Sequence, residues 1–201
     1  MNTLSPLRVA KKLAPTLALC AALVTGCGFN TVVAEDEQVK AAWAEVQSQY
    51  QRRADLVPNL VETVKGAANF EQSVLTNVVE ARAKATAITV DASIIDDPAK
   101  LKAFEEAQSR LSGALGRLLA VSESYPDLKA SAAFRDLMVQ LEGTENRITV
   151  ARGRYIAAVA GYNTTVQTFP TMCGAGLRGK KVRPTFTATT PGAETAPKVQ
   201  F

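Results

Sequence analysis

The sequence predicts an all-α fold: an elongated antiparallel bundle of three or four helices, with a long kinked first helix and an extended C-terminal tail. Three observations predict it. Apolar residues between Val39 and Phe169 recur at alternating intervals of three and four, which marks one face of a helix. Hydrophobic residues make up 47% of the 201 but aromatics only 6%, and alanine, a strong helix former, is abundant. No stretch of residues 31–170 alternates apolar and polar over a strand's length, and no solenoid-like repeat is present.

The first helix carries its stripe on Val39, Trp43, Val46, Tyr50, Val57, Leu60 and Val64. Pro58 lacks an N–H and crowds the carbonyl four residues back, which predicts a kink or brief break between two collinear pieces. Gly66 and Asn69 mark its interruption. A second helix is expected over residues 70–88, with Phe70, Val74, Val78, Ala81, Ala85 and Ile88 inward. Asp97 is a good N-cap and Pro98 suits the first helical position, so a third helix should run over residues 98–122. Leu101, Phe104, Leu111, Leu115 and Leu118 form its buried face, and Tyr125-Pro126-Asp127 reads as a turn. The last helix, over residues 131–169, keeps register through Phe134, Leu137, Leu141, Ile148, Tyr155, Tyr162, Val166 and Phe169 until Pro170 stops it. Residues 171–201 are rich in Gly, Pro and Thr and read as an extended or partly disordered tail, with residues 184–187 and 199–201 as possible short strands.

The N-terminus reads as an address. Arg8, Lys11 and Lys12 precede an apolar run from Leu13 to Leu23, the pattern of a secretory signal peptide. Val24-Thr25-Gly26-Cys27 resembles the lipobox of bacterial lipoproteins. That resemblance implies cleavage after Gly26, thioether lipidation of Cys27 and acylation of the new amino terminus. Dual acylation anchors a protein stably, whereas one chain does not. The expected division is therefore a leader over 1–26, a helical bundle over 27–170 and a tail over 171–201, with the bundle on the extracytoplasmic side. Gly28, in place of an inner-membrane-retaining aspartate, allows an outer-membrane destination. The alternative is a single-pass transmembrane helix, because residues 13–34 carry no charge. Pro15, Gly26, Gly28 and Asn30 interrupt that span.

The net charge is +4, but Arg8, Lys11 and Lys12 supply three of those charges within residues 1–26, which hold no acid. The remaining chain is nearly neutral, which does not point to nucleic acid. Histidine is absent, so the usual general base and the commonest metal ligand are missing. The three cysteines, Cys20, Cys27 and Cys173, supply neither a disulfide framework nor a cysteine-rich zinc site once Cys27 is lipidated. No Glu-x-x-His signature and no phosphate-binding glycine loop appears. The sequence therefore predicts no catalytic residues, no metal and no cofactor.

The informative anomaly is charge on the apolar seam. Positions 39, 46, 53 and 60 form one heptad column, and Arg53 occupies a place where Val or Leu is expected. Glu145 and Arg152 fall in a column with Met138, Val159 and Val166, and Gln108 falls on the seam of the third helix. A lone buried charge is costly, so pairing is expected: Arg53 and Arg152 with Glu142 or Glu145, and Asp55, Asn59 and Asn146 satisfying remaining groups. Arginine suits this because its planar fork binds carboxylates bidentately. Three readings follow: a network that fixes helix register, an internal ligand site, or arginines reaching the surface.

Several stretches resemble the LemA family: Asp36-Glu37-Gln38-Val39-Lys40-Ala41-Ala42-Trp43, Gln51-Arg52-Arg53-Ala54-Asp55-Leu56-Val57-Pro58-Asn59-Leu60-Val61, Glu62-Thr63-Val64-Lys65-Gly66, Tyr125-Pro126-Asp127-Leu128-Lys129-Ala130 and Leu141-Glu142-Gly143-Thr144-Glu145-Asn146-Arg147-Ile148. Ala151-Arg152, Tyr162-Asn163 and Phe169-Pro170 follow in order, and the resemblance covers residues 30–201. It implies an antiparallel helical bundle with a membrane-anchored N-terminus, and it supplies no catalytic residue. A relative in magnetotactic bacteria is linked to building magnetosome membranes, and others to membrane-protein quality control or cell-surface roles. Many relatives carry a full transmembrane helix, from which the short apolar run and Cys27 depart. The function expected is a non-enzymatic scaffold or adaptor at the cell envelope, working through protein partners or copies of itself. The alternatives are a ligand-binding envelope protein using the Arg/Glu seam, and a transmembrane-anchored factor in envelope stress or membrane organisation.

Overall fold

A computed structural model describes residues 6–88 and 91–186, with side chains from Asn30 onward except that of Ala92. Among the described residues there are six α-helices, one 3-10 segment and no strand: α1 (Pro6–Lys65), α2 (Gln72–Ala87), the 3-10 segment (Ala92–Asp96), α3 (Pro98–Ser122), α4 (Pro126–Ala130), α5 (Ala132–Gln167) and α6 (Thr171–Leu177). The fold is an all-α helical bundle. Two compact units share the chain. One takes in the residues up to Lys40 together with Ala157–Val182; the other takes in Ala41–Ile156 and the residues from Arg183 on.

Four of the helices lie where the apolar stripes put them. α1 continues through Pro58, so of the expected kink or brief break the break does not occur. Pro58 is exposed, so the lost backbone bond lies on the solvent side while Val57, Leu60, Val61 and Val64 stay buried. After Gly66 the chain turns, and Asn69 takes the left-handed conformation at φ 62°, which asparagine tolerates better than most residues. Tyr125 Oη donates to the Asn69 carbonyl at 2.9 Å and pins this turn. Asp97 caps α3 as its position predicts: Oδ1 accepts from the Ala99 N–H at 2.8 Å and the Lys100 N–H at 3.4 Å.

Two short helices raise the count above the expected three or four. The Tyr125-Pro126-Asp127 turn opens α4, with Pro126 at its first position. α6 forms at the start of the segment expected to be extended. Its glycines disfavour a helix, but Ala175 packs inward and Met172 N–H donates to the Thr168 carbonyl at 2.8 Å, so tertiary burial overrides propensity. Residues 184–186 belong to no strand. Thr187 and residues 199–201, the rest of the possible short strands, lie outside the described residues.

In the larger unit, α1, α2, α3 and α5 run alternately up and down. Arg53 meets Glu145 while Glu45 meets Arg154, so α5 runs antiparallel to α1. The core at one end gathers Val57, Leu60 and Val64 of α1, Val74 and Val78 of α2, Leu111, Leu115 and Leu118 of α3, and Leu141 of α5. At about 25 cal/mol per Å2 of apolar surface, each such side chain contributes roughly 1.5–3 kcal/mol on burial.

In the smaller unit, Val32 and Val39 of α1, Val159 and Tyr162 of α5 and Ala175 of α6 are buried. Asp36 is buried there too, and Lys40 and Lys180 each place Nζ 3.0 Å from its Oδ2. Hydrogen bonds to Glu37 and Asp36 hold the Lys40 ammonium above its ordinary pKa. Gly161 lets α5 approach Glu35 closely: a Cβ there would lie 3.2 Å from Glu35 Oε2. Among the described residues no helix is long and apolar enough to cross a membrane. The Cys27 side chain and the leader's lie outside the described residues.

Candidate functional site

The seam charges form two polar layers inside the larger unit. Arg53 projects from α1 with its side chain 1% exposed. Nη1 donates to Ser112 Oγ at 2.6 Å and to Glu145 Oε1 at 2.8 Å. Nη2 donates to the Gln108 side-chain oxygen at 2.7 Å and to the Gln108 carbonyl at 3.1 Å. Its guanidinium also sits 5.0 Å from the Tyr50 ring centroid, one turn back on the same helix. Nε is buried without a hydrogen-bond partner, a local cost that the four bonds of the fork offset. One guanidinium thus joins α1 to both α3 and α5.

Arg152 of α5 makes the second layer. Its Nη2 donates to the buried carboxylate of Glu105 at 3.3 Å and Nη1 to Tyr50 Oη at 3.3 Å. Its guanidinium lies 4.2 Å from the Phe186 ring centroid. Phe186 closes an aromatic cluster in which Trp43 meets Phe104 and Tyr155 at 5.4 Å each, and Tyr50 meets Phe104 edge-on at 5.1 Å. Phe186 itself meets Tyr155 at 5.2 Å and Trp43 at 6.1 Å.

The strap carrying Phe186 is fixed at two further points. Arg183 Nε donates to Asp96 Oδ1 at 2.9 Å, and Tyr155 Oη donates to the Pro184 carbonyl at 3.1 Å. Burial pushes the Tyr155 hydroxyl pKa well above its ordinary value. The Trp43 indole N–H is buried here without a hydrogen-bond partner.

Of the residues that the sequence places in the network, the structure brings together Arg53 and Glu145. It places Arg152 beside Glu105 and Tyr50, in place of the expected Glu142 or Glu145. Asp55, Asn59, Glu142 and Asn146 are exposed. Asp55 accepts from Gln51 Nε2 at 2.8 Å, and the Asn59 carbonyl from Thr63 Oγ1 at 2.8 Å. Helix geometry explains this. At about 100° per residue, Asp55 and Asn59 fall roughly 160° and 120° around α1 from Arg53. Relative to buried Ile148, Glu145 and Arg152 lie roughly 60° and 40° around α5, but Glu142 and Asn146 lie roughly 120° and 160° away.

Glu105 and Ser112 escaped the sequence reading, yet a signal exists. Leu101, Glu105, Gln108, Ser112 and Leu115 follow a four-three-four-three spacing, so three polar residues interrupt a leucine column on α3. No signal marks Tyr50 Oη or Phe186 as partners of Arg152.

An open cleft of ≈ 530 Å3 lies beside the seam, lined by Gln47, Ser48, Tyr50, Gln51, Phe104 and Gln108 among others, but by none of Arg53, Glu145 and Arg152. Among the described residues no group of three or more His, Cys, Asp or Glu side chains gathers as a metal site. What the arrangement does chemically is hold charge: two guanidiniums face two carboxylates, and their other printed bonds run from Nη1 and Nη2 to amide, hydroxyl and carbonyl oxygens of the same chain.

A helical bundle with a buried, hydrogen-bonded arginine on its seam is thus the class of protein that fold and site define. The model of the LemA family matches residues 42–201, and the chain belongs to that family. Magnetosome protein MamQ 2 of Paramagnetospirillum magneticum is 27% identical over 158 residues, covering 71% of this chain and 58% of its own length. Protein LemA of Metamycoplasma hominis is 26% identical over 146 residues, 73% of this chain and 63% of its own. Magnetosome protein MamQ of Magnetospirillum gryphiswaldense is 25% identical over 158 residues, 71% of this chain and 58% of its own. The chain spans about three fifths of the length of these curated relatives.

Proposed function

We propose that the chain is a non-enzymatic helical scaffold or adaptor, attached to a membrane through a lipid on Cys27 and presenting its outer helix faces to protein partners or to second copies. The observation that carries this reading is the state of Arg53. Its fork is satisfied by α3 and α5 and has almost no contact with solvent. A buried charge satisfied in this way keys the register of helices and leaves nothing for a substrate. Family membership and the magnetosome relatives support a role at a membrane.

Photo-crosslinking from exposed positions of α3 and α5 in intact cells, read by mass spectrometry, tests the scaffold. Reproducible crosslinks to one or a few proteins, or to a second copy, are expected. Monomer alone from every position refutes it. The anchor is tested separately: Cys27→Ser should release the chain from the membrane fraction and abolish incorporation of labelled fatty acid. Unchanged attachment without loss of label refutes the lipid.

A further inference from the structure

Seven charged side chains project from α5. Three are spent inside the chain: Glu145 on Arg53, Arg152 on Glu105 and Arg154 on Glu45. Arg135, Asp136, Glu142 and Arg147 are exposed, and their side chains make no hydrogen bond or ion pair among the described residues. The first three of these surround Val139, which is 69% exposed.

Helix geometry puts these residues on one outward face within the larger unit. At about 100° per residue, Arg135 and Glu142 fall roughly 40° and 60° to one side of Val139, and Asp136 and Gln140 roughly 60° and 100° to the other. The buried residues Phe134, Leu141 and Ile148 lie roughly 140–180° away, so Val139 points straight out of the bundle. Gly143 is on the same face, about 40° from Val139. Glycine weakens a helix interior, and nothing inside the chain needs one here: a Cβ would meet only Arg147 Nη2, at 3.8 Å. Its absence leaves room for a second helix.

The signs on this face complement themselves. Arg135 and Glu142 stand two turns apart, about 10 Å along the axis, too far to pair with each other. A parallel neighbour in register would set like charge on like. An antiparallel copy, related by a two-fold axis crossing α5 beside Val139, sets Arg135 of each chain against Glu142 of the other. The same axis brings Asp136 level with Gln140 of the other chain. Gln140 Oε1 accepts from Arg52 Nη2 at 2.9 Å, and its amide N–H groups are unspent. The two Val139 side chains meet at the axis. A face that matches its own reverse is what an isologous contact requires, and it selects a second copy over an unrelated protein.

We infer that this face of α5 is a self-association surface: two copies pair their α5 helices antiparallel, Val139 against Val139, with Arg135–Glu142 pairs on one flank and Asp136–Gln140 pairs on the other. The inference rests on the scaffold reading above and names one partner, a second copy, and the face it uses. One helix face is a small interface beside the roughly 1,200–2,000 Å2 of a stable free dimer. Confinement on a membrane raises the effective concentration at which such a contact forms.

Thiol linking in intact cells tests it. The full chain carrying Cys173→Ser, which removes an exposed native thiol, sets the background. Val139→Cys in that chain places two thiols across the axis within disulfide reach, and mild oxidation should give a linked dimer on non-reducing gels. Val150→Cys is the control. Val150 is exposed on the same face, but the two-fold separates its copies by roughly 23 residues of helix, about 35 Å, so it should give nothing above background. Arg135→Glu and Glu142→Arg should each slow linking through position 139 on the order of tenfold, because each turns two attractions per dimer into repulsions. The two together exchange the charges and should restore it. These side chains are all exposed, so circular dichroism of the purified variants should show unchanged helix content. No link through position 139, equal linking at 139 and 150, or a charge exchange that fails to restore linking refutes the pairing. Photo-crosslinks to other proteins, or to a second copy through another face, would then leave the scaffold standing, whereas monomer alone from every position removes both.

Discussion

Arg53→Met asks what the buried guanidinium contributes. Methionine keeps most of the length and apolar volume of arginine, so the change removes charge and donors with little cavity. Four hydrogen bonds disappear. They are not equal. Glu145 is 43% exposed and Ser112 lies at the surface, so both regain water. Gln108 is buried, and its side-chain oxygen is left unsatisfied. Leaving a buried acceptor unpaired costs about 1–3 kcal/mol, and the lost charge-assisted bonds add to that. Against this, the desolvation of the guanidinium and its unpaired Nε are relieved. The net destabilisation should be about 2–3 kcal/mol. For a chain of this size, at about 2–4 °C per kcal/mol, the thermal midpoint should fall by about 4–12 °C. Circular dichroism at the helical band, followed on the full chain under matched conditions, reads it. Adding Gln108→Leu removes the stranded acceptor, so the double variant should recover most of the loss. A single variant within about 0.5 kcal/mol of the parent, or a double variant worse than the single, would show that Arg53 is not the key to this register.

Three further outcomes follow from the same structure. Phe186→Ala uncovers the aromatic cluster and should cost about 3 kcal/mol, with a red shift in the emission of the single tryptophan, Trp43; unshifted emission would mean the strap does not cover it in solution. Asp97→Ala removes the α3 cap and should cost about 1 kcal/mol by urea unfolding, with Asp97→Asn recovering most of it. Tyr155 supplies a pH dependence. Its folded pKa is raised by burial, whereas the unfolded hydroxyl ionises near pH 10, so the folded chain keeps a proton that the unfolded chain releases. Stability from this group is intact below pH 10 and falls above it by up to about 1.4 kcal/mol per pH unit. Tyr155→Phe should therefore lose the bond to Pro184 at neutral pH but flatten the decline between pH 10 and 11 in urea midpoints.

By itself the sequence determined the helices and the oddity of the seam. The stripes of α1, α2, α3 and α5, the Asp97 cap and the Gly66–Asn69 interruption are local facts, set by periodicity and backbone preference, and the structure repeats them. Arg53 and Glu145 were legible because a charge in an apolar column stands out against its neighbours along one helix. Tertiary structure alone decided which groups meet across helices. Arg152 pairs with Glu105 because a rotation of a few tens of degrees about α5 and the register of α3 bring those two together. Glu142, Asn146, Asp55 and Asn59 are near in sequence but turned away. The same holds for the strap: Phe186 lies far along the chain from Trp43, and no pattern in a Gly- and Pro-rich segment tells that its ring closes the cluster over Arg152. α6, too, exists because Ala175 finds a place to be buried, a condition that only the folded chain supplies.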